Sequence, residues 1–142
     1  MGEMTERWMN YLVITLVITI IANIILWLTQ RVTLTHLGSG TMTADGSEQR
    51  VFALDRSEPF RIEGYIDLSN MKTGDEVIIR QYIKIKPDGE LKKYWEEKYN
   101  GIQANPIVYI TPKPSIYGIL ITLQQTSGTY ISYDWEFYMS VI

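Results

Sequence analysis

The chain has 142 residues, a net charge of −3, no cysteine and a single histidine. These features exclude disulfides, thiolate catalysis, cysteine-ligated metal and paired-histidine metal sites. Without a basic excess to neutralise phosphates, nucleic acid is not an expected partner.

The first element is an apolar run. Tyr11 to Leu28 (YLVITLVITIIANIILWL) holds no charge, glycine or proline. As a helix it spans about 27 Å, close to a hydrocarbon core of about 30 Å. Trp8 and Tyr11 at one end and Trp27 at the other are candidate membrane-interface anchors, and Arg7 and Arg31 bracket the run. The preceding residues, MGEMTER, are not net basic, the run exceeds an ordinary signal-peptide core, and no A-x-A-like site follows, so an uncleaved anchor is favoured. A pilin-like helix would carry a basic leader and a glutamate inside the apolar run, and this one carries neither. The flanking charges nearly balance. The β-domain is placed outside the cytoplasm, or on a virion surface, by analogy with other short-tailed signal-anchors. Thr15, Thr19 and Asn23 recur at i, i+4 and i+8 on one helical face. They are the candidate helix-packing residues, toward a homo-oligomer or other membrane or envelope subunits. The alternative is that the threonines bond back to their own helix and Asn23 finds water.

After the anchor, about 100 residues remain, enough for one ordinary domain. The expected division is 1–30 for tail and transmembrane helix, 31–47 for a stalk or linker, and 48–142 for a β-sandwich. Arg31 to Leu37 alternates, which suits a short strand or an extended stalk. Gly38-Ser39-Gly40-Thr41 and Ala44-Asp45-Gly46-Ser47 read as flexible and turn-rich.

Period-two patterning then predicts strands over 50–54, 60–68, 76–85, 91–99, 107–110, 116–125 and 130–141. Lys86-Pro87-Asp88-Gly89 is a hairpin turn in which Pro presets φ and Asp-Gly tolerates positive φ. Thr111-Pro112-Lys113-Pro114 interrupts pairing. Ile142 falls at the end of the last strand. The fold class is mainly β: one N-terminal transmembrane helix, then a seven- to eight-stranded antiparallel sandwich. An immunoglobulin-like order is preferred over a jelly roll.

The segments DLSNMKTGDEVIIRQYIK and PIVYITPKPSIYGILITLQQTSGTY resemble small uncharacterised β-domain proteins of archaeal and phage-related type. The resemblance covers Asp67 to Tyr130. It implies a β-fold and a surface or virion component, and it carries over no functional residue.

No arrangement of residues supports catalysis, so the chain is not expected to be an enzyme, nor to hold a cofactor or metal. His36 lies in the expected stalk with no second ligand. No G-x-S-x-G is present. Glu96 and Glu97 are adjacent on a strand and point to opposite faces. Asp134 and Glu136 share a face and could meet calcium with Asp88 or Glu90, but no calcium-loop spacing exists. Lys92, Lys93, Glu96, Glu97 and Lys98 read as an edge-strand device. Tyr133, Trp135 and Phe137 form a core-facing set, with Asp134, Glu136 and Tyr138 opposite. Tyr94, Tyr99 and Tyr138 are the surface-binding candidates, since tyrosine favours interfaces. The expected function is that of a membrane-anchored structural or accessory subunit whose β-domain mediates assembly. The alternative is a tethered module that binds glycan or protein.

Overall fold

The computed structural model describes residues 2–28 and 34–141. Arg31, the first residues of the expected stalk and Ile142 lie outside the described residues. The chain divides into two compact units, Met1–Val32 and Thr33–Ile142.

The first unit holds helix α1, Gly2–Leu28. It has no proline and is apolar on every side, the composition of a helix surrounded by protein or lipid. It is long and apolar enough to cross a membrane, and none of its apolar span is buried by the rest of the protein. It starts well before the apolar run, so Glu3, Glu6 and Arg7 are helical.

The second unit has eight strands: β1 (Leu34–Thr43), β2 (Gln49–Leu54), β3 (Phe60–Asp67), β4 (Glu76–Lys84), β5 (Lys92–Asn100), β6 (Ile107–Ile110), β7 (Gly118–Ser127) and β8 (Ser132–Val141). They form two four-stranded antiparallel sheets, ordered β1-β8-β3-β6 and β2-β7-β4-β5. The pairs β1·β8, β2·β7, β3·β6 and β4·β5 nest inside one another. The chain is therefore one long hairpin, rolled so that its paired segments alternate between two sheets. That is the jelly-roll order, and the preferred immunoglobulin-like order is not the one found.

The tip of this hairpin is the turn after β4. Gly89 N–H donates to the Lys86 carbonyl at 3.1 Å. Neither Asp88 nor Gly89 takes a positive φ, so Pro87 sets an ordinary turn and the expected Asp-Gly conformation is not used.

Alternation explains the core. In β3, Phe60, Ile62 and Ile66 point inward and are at most 1 % exposed. They meet Val77 and Ile79 of β4 and Ile121 and Leu123 of β7 in one cluster. Each such side chain contributes about 1.5–3 kcal/mol through burial. Gly64 faces inward because a Cβ there would meet the Glu136 carbonyl at 2.2 Å and the Phe137 ring at 2.4 Å. Buried Gln125 is fully used: its amide donates to the Thr129 and Ser127 carbonyls and accepts from Ile131 N–H and Tyr133 O–H.

The stalk expected over 31–47 is corrected. Leu34–Thr43 is β1, paired with β8 from Leu34↔Ser140 to Thr43↔Ser132. Gly38 and Gly40, read as flexible, seat an aromatic ring. A Cβ on Gly40 would come within 2.9 Å of the Trp135 indole. The glycines are spacers for a side chain on the neighbouring strand.

Candidate functional site

No group of three or more histidine or carboxylate side chains among the described residues is placed to hold a metal. Asp88 and Glu90 lie in the β4–β5 loop, at the opposite end of the sandwich from Asp134. The chemically distinctive feature is instead the first sheet, with its free edge and its outer face.

Strands β1, β6, β2 and β5 are the four sheet edges. An edge exposes unpaired N–H and C=O groups and invites another strand unless it is blunted. Strand β5 carries Lys92, Lys93, Glu96, Glu97 and Lys98. Strand β6 is four residues long, with Pro106 before it and Pro112 after it. Strand β2 is short and broken by a bulge between Arg50 and Phe52. Strand β1 is ten residues long and carries no Asp, Glu, Lys, Arg or Pro. Its one irregularity, between His36 and Gly38, leaves Gly38–Thr43 in continuous register with β8.

The register places side chains in rows on the adjoining outer face. Ser39, Glu136, Tyr65 and Tyr109 form one row, and His36, Tyr138 and Glu63 the next. Tyr65 and Tyr109 are about half exposed, with ring centroids 5.5 Å apart. His36 Nε2 lies 3.4 Å from Glu136 Oε1, and its ring meets Tyr138 edge-on at 5.4 Å. Tyr109 donates to Glu63, and Thr41 Oγ1 donates to Asp134 at 2.5 Å. The bond to Glu136 holds the Tyr138 hydroxyl above its ordinary pKa, and the bond to Glu63 does the same for Tyr109. Glu63, Asp67, Asp134 and Glu136 make this face acidic on balance, with Arg61 on the same face of β3 opposite Ser140.

The outer face of the second sheet is closed on itself. Arg80 donates from Nε to Glu96 at 2.7 Å and from Nη1 to Gln124 at 3.0 Å, and Nη1 lies 3.3 Å from Glu48. Glu48 also accepts from Tyr82 and Thr122, each at 2.6 Å. Burial would raise the Glu48 pKa, but these bonds and the Arg80 charge bring it below its ordinary value. Lys93 pairs with Glu96, and Lys98 with Glu76.

The tyrosines singled out from sequence fare differently. Tyr94 is exposed, as expected, and sits at the β5 bulge, where its hydroxyl also donates to buried Gln81 at 2.6 Å and accepts from Lys113 N–H at 3.2 Å. Burial raises its pKa, against the opposing Lys113 bond. Tyr99 packs against the core, and burial, then Glu97, raises its pKa. Of the three, Tyr138 lies on the acidic face. Tyr65 and Tyr109 were not singled out from sequence: alternation in RIEGYID marks Tyr65 as outward, but the four-residue IVYI does not choose a face, and joining the two needed the strand order. Tyr133 and Phe137 are buried as expected, and Trp135 packs between Gly40 and Phe52.

In α1, Trp8, Tyr11 and Trp27 are exposed. Their separation along the axis is about 24–29 Å. Thr15 and Thr19 donate to the carbonyls four residues back at 2.8 Å, and Asn23 Nδ2 donates to the Thr19 carbonyl at 2.7 Å. The back-bonded arrangement is therefore present, and the Asn23 carbonyl oxygen is still able to accept.

No protein-family model and no curated protein sequence matches the chain. Among solved structures it is similar to the VP2 subviral particle of infectious bursal disease virus, at 12 % identity and a TM-score of 0.44, over 78 % of this chain and 32 % of that one. The T13 particle of the same virus gives 12 % identity and 0.47, over 78 % and 31 %. The N-terminal CBM22-1–GH10 modules of Clostridium thermocellum xylanase 10B, complexed with xylohexaose, give 9 % and 0.34, over 75 % and 26 %. The chain thus spans about a third of the length of the viral chains it matches. No residue role passes from these proteins to this one.

Proposed function

We propose that this chain is a membrane-anchored structural subunit that assembles with further copies of itself and does no chemistry of its own. Helix α1 crosses the bilayer, with Trp8, Tyr11 and Trp27 at its interfaces, and the sandwich lies on the extracytoplasmic or virion-surface side. The sandwich supplies the subunit contact through the β1 edge and the bordering acidic, tyrosine-bearing face. The observation that carries this reading is the bare edge: β1 is ten residues long without a charge or a proline, while the other edges are charged, short or bulged. Natural sheets blunt edges that must stay free, so a bare one suits strand addition. In the membrane, Thr15, Thr19 and Asn23 supply a second contact, worth about 0.6–2 kcal/mol per interhelical hydrogen bond.

The test is the protein mass of the detergent-solubilised full chain by light scattering, beside Asn23→Leu and Ser39→Lys. Discrete oligomers that shrink with either substitution support assembly and say which contact holds it. A monomer in every case removes the reading. A tethered binding module is the second reading, favoured by the exposed Tyr65–Tyr109 pair. It requires a monomeric chain that binds a glycan or protein and loses the ligand in Tyr65→Ser/Tyr109→Ser.

A further inference from the structure

The two ends of the sandwich differ. The pairings Leu34↔Ser140, Phe60↔Val141, Leu54↔Ile119, Lys84↔Gly118 and Ile83↔Lys92 bring one set of loops together. These are 55–59, 85–91 and 111–117, at the end where β1 begins. The loops that leave the opposite ends of the strands are 44–48, 68–75, 101–106 and 128–131.

At the first end, Ile85 is 71 % exposed, with Ile116 and Leu91 also open to solvent. Pro59, Ile83, Ile85, Pro114, Ile116 and Tyr117 line a shallow hollow of about 350 Å³. Nothing in the sandwich's own packing requires so exposed an isoleucine where β4 enters the hairpin loop. Lys86, Lys92 and Lys113 stand around these residues and enter no ion pair among the described residues. Asp88, at the tip of the 85–91 loop, and Glu90 beside it make this end mixed in charge, with Ile85 and Leu91 where the loop meets β4 and β5.

Sequence distance supplies the occupant. Only residues 29–33 separate the last residue of α1 from the first of β1. Six residue steps reach at most about 20 Å even when fully extended. An end of the sandwich tied that closely to an apolar helix stays within reach of whatever surface the helix enters.

We propose that this end, with Ile85, Leu91 and Ile116 exposed on it and Lys86, Lys92 and Lys113 around them, is a bilayer-contact surface. It rests on the reading that α1 crosses a membrane. The exposed apolar side chains enter the headgroup boundary, lysine stems extend along it, and their ammonium groups meet lipid phosphates. The contact fixes which way the β1 edge faces relative to the bilayer.

The absence of cysteine allows a direct test on the full chain. Nitroxides are placed singly by Ile85→Cys, Ile116→Cys, Ile102→Cys and Val17→Cys, and the protein is reconstituted in phosphatidylcholine–phosphatidylglycerol vesicles. Ile102, at the opposite end, is 73 % exposed and serves as a matched solvent control. Collisions with oxygen and with a water-soluble nickel chelate are then read at each site. The expected result is an inversion: oxygen-accessible and nickel-shielded at 85 and 116, nickel-accessible at 102, with 17 the most immersed. Labels at 85 and 116 that behave like 102 while 17 is immersed overturn the proposal alone. A label at 17 open to nickel overturns the anchoring reading and the proposal with it.

Discussion

Strands β1 and β5 are both sheet edges of nearly equal length, yet they are built on opposite principles. Strand β5 carries charge along its length, and three of those charges are paired: Glu96 with Arg80 and Lys93, and Lys98 with Glu76. A strand arriving at that edge would have to displace or desolvate them. Strand β1 presents threonine, serine and glycine, held from behind by Trp135 over Gly40 and by the Thr41–Asp134 hydrogen bond. The charge that could have guarded it lies one strand further in, as Asp134 and Glu136 on β8. The protection of an edge is thus a local choice, made separately for each strand of one fold.

Removing the charge that organises the closed face should have the largest effect on stability. The Arg80 side chain is only 13 % exposed. Arg80→Met takes the shared cation from Glu48 and Glu96, which keep their other partners, and should cost about 2 kcal/mol, read from urea unfolding followed by tryptophan fluorescence, with subunit mass unchanged. Next comes the seat of β1. Gly40→Ala pushes a methyl into the Trp135 indole and should cost about 1–2 kcal/mol, with a change in indole emission. A flexible-linker glycine would show neither.

Acid distinguishes the two faces without mutation. Glu48, Glu76 and Glu96 are all held below the ordinary glutamate value. For Glu76 the main cause is the Thr126 hydrogen bond, and for Glu96 it is the bond from Lys93. A carboxylate with a depressed folded pKa contributes stability that is present above its unfolded pKa and lost as pH falls through its folded one. Melting temperature should therefore fall as pH drops below about 4.5. In Arg80→Met, where Glu48 and Glu96 lose a cation, the fall should be shallower. An equal slope in the two proteins would mean that the second sheet's outer face does not govern acid stability.

The smallest expected change in stability accompanies a large change in assembly. Ser39→Lys puts a cation on the bare edge beside Glu136, its partner in register. Unfolding should shift within about 0.5 kcal/mol while the oligomer is lost. A loss of stability instead would mean that β1 cannot carry a charge for reasons internal to the fold.

The seven strands after β1 were legible because each is a run of strand-forming residues between turn signals, and β3 alternates cleanly as well. The burial pattern of β3 follows its sequence residue by residue. The apolar helix and its Thr15–Thr19–Asn23 stripe were equally plain, since both are local. What the sequence hid depended on distant partners. Glycine signals freedom when read alone, and only the position of Trp135 shows that Gly38 and Gly40 belong to a strand. Tyr94 reads as outward by simple alternation and is exposed, but its hydroxyl's bond to Gln81 depends on the β5 bulge. The order of strands, and with it the jelly-roll wrapping, lies in nested pairings of strands far apart in sequence. The bare edge was invisible for the same reason, because a strand becomes an edge only when its neighbours are known.

The central claim is that the β1 edge pairs with another copy and the β5 edge does not. Single cysteines at Ser39→Cys, Thr41→Cys and Thr43→Cys on β1, and at Lys92→Cys, Glu96→Cys and Lys98→Cys on β5, test it in the full chain within membranes under mild oxidation. The account predicts covalent dimers from at least one β1 position and none from β5. Equal cross-linking from both edges, or none from any β1 position, would contradict it.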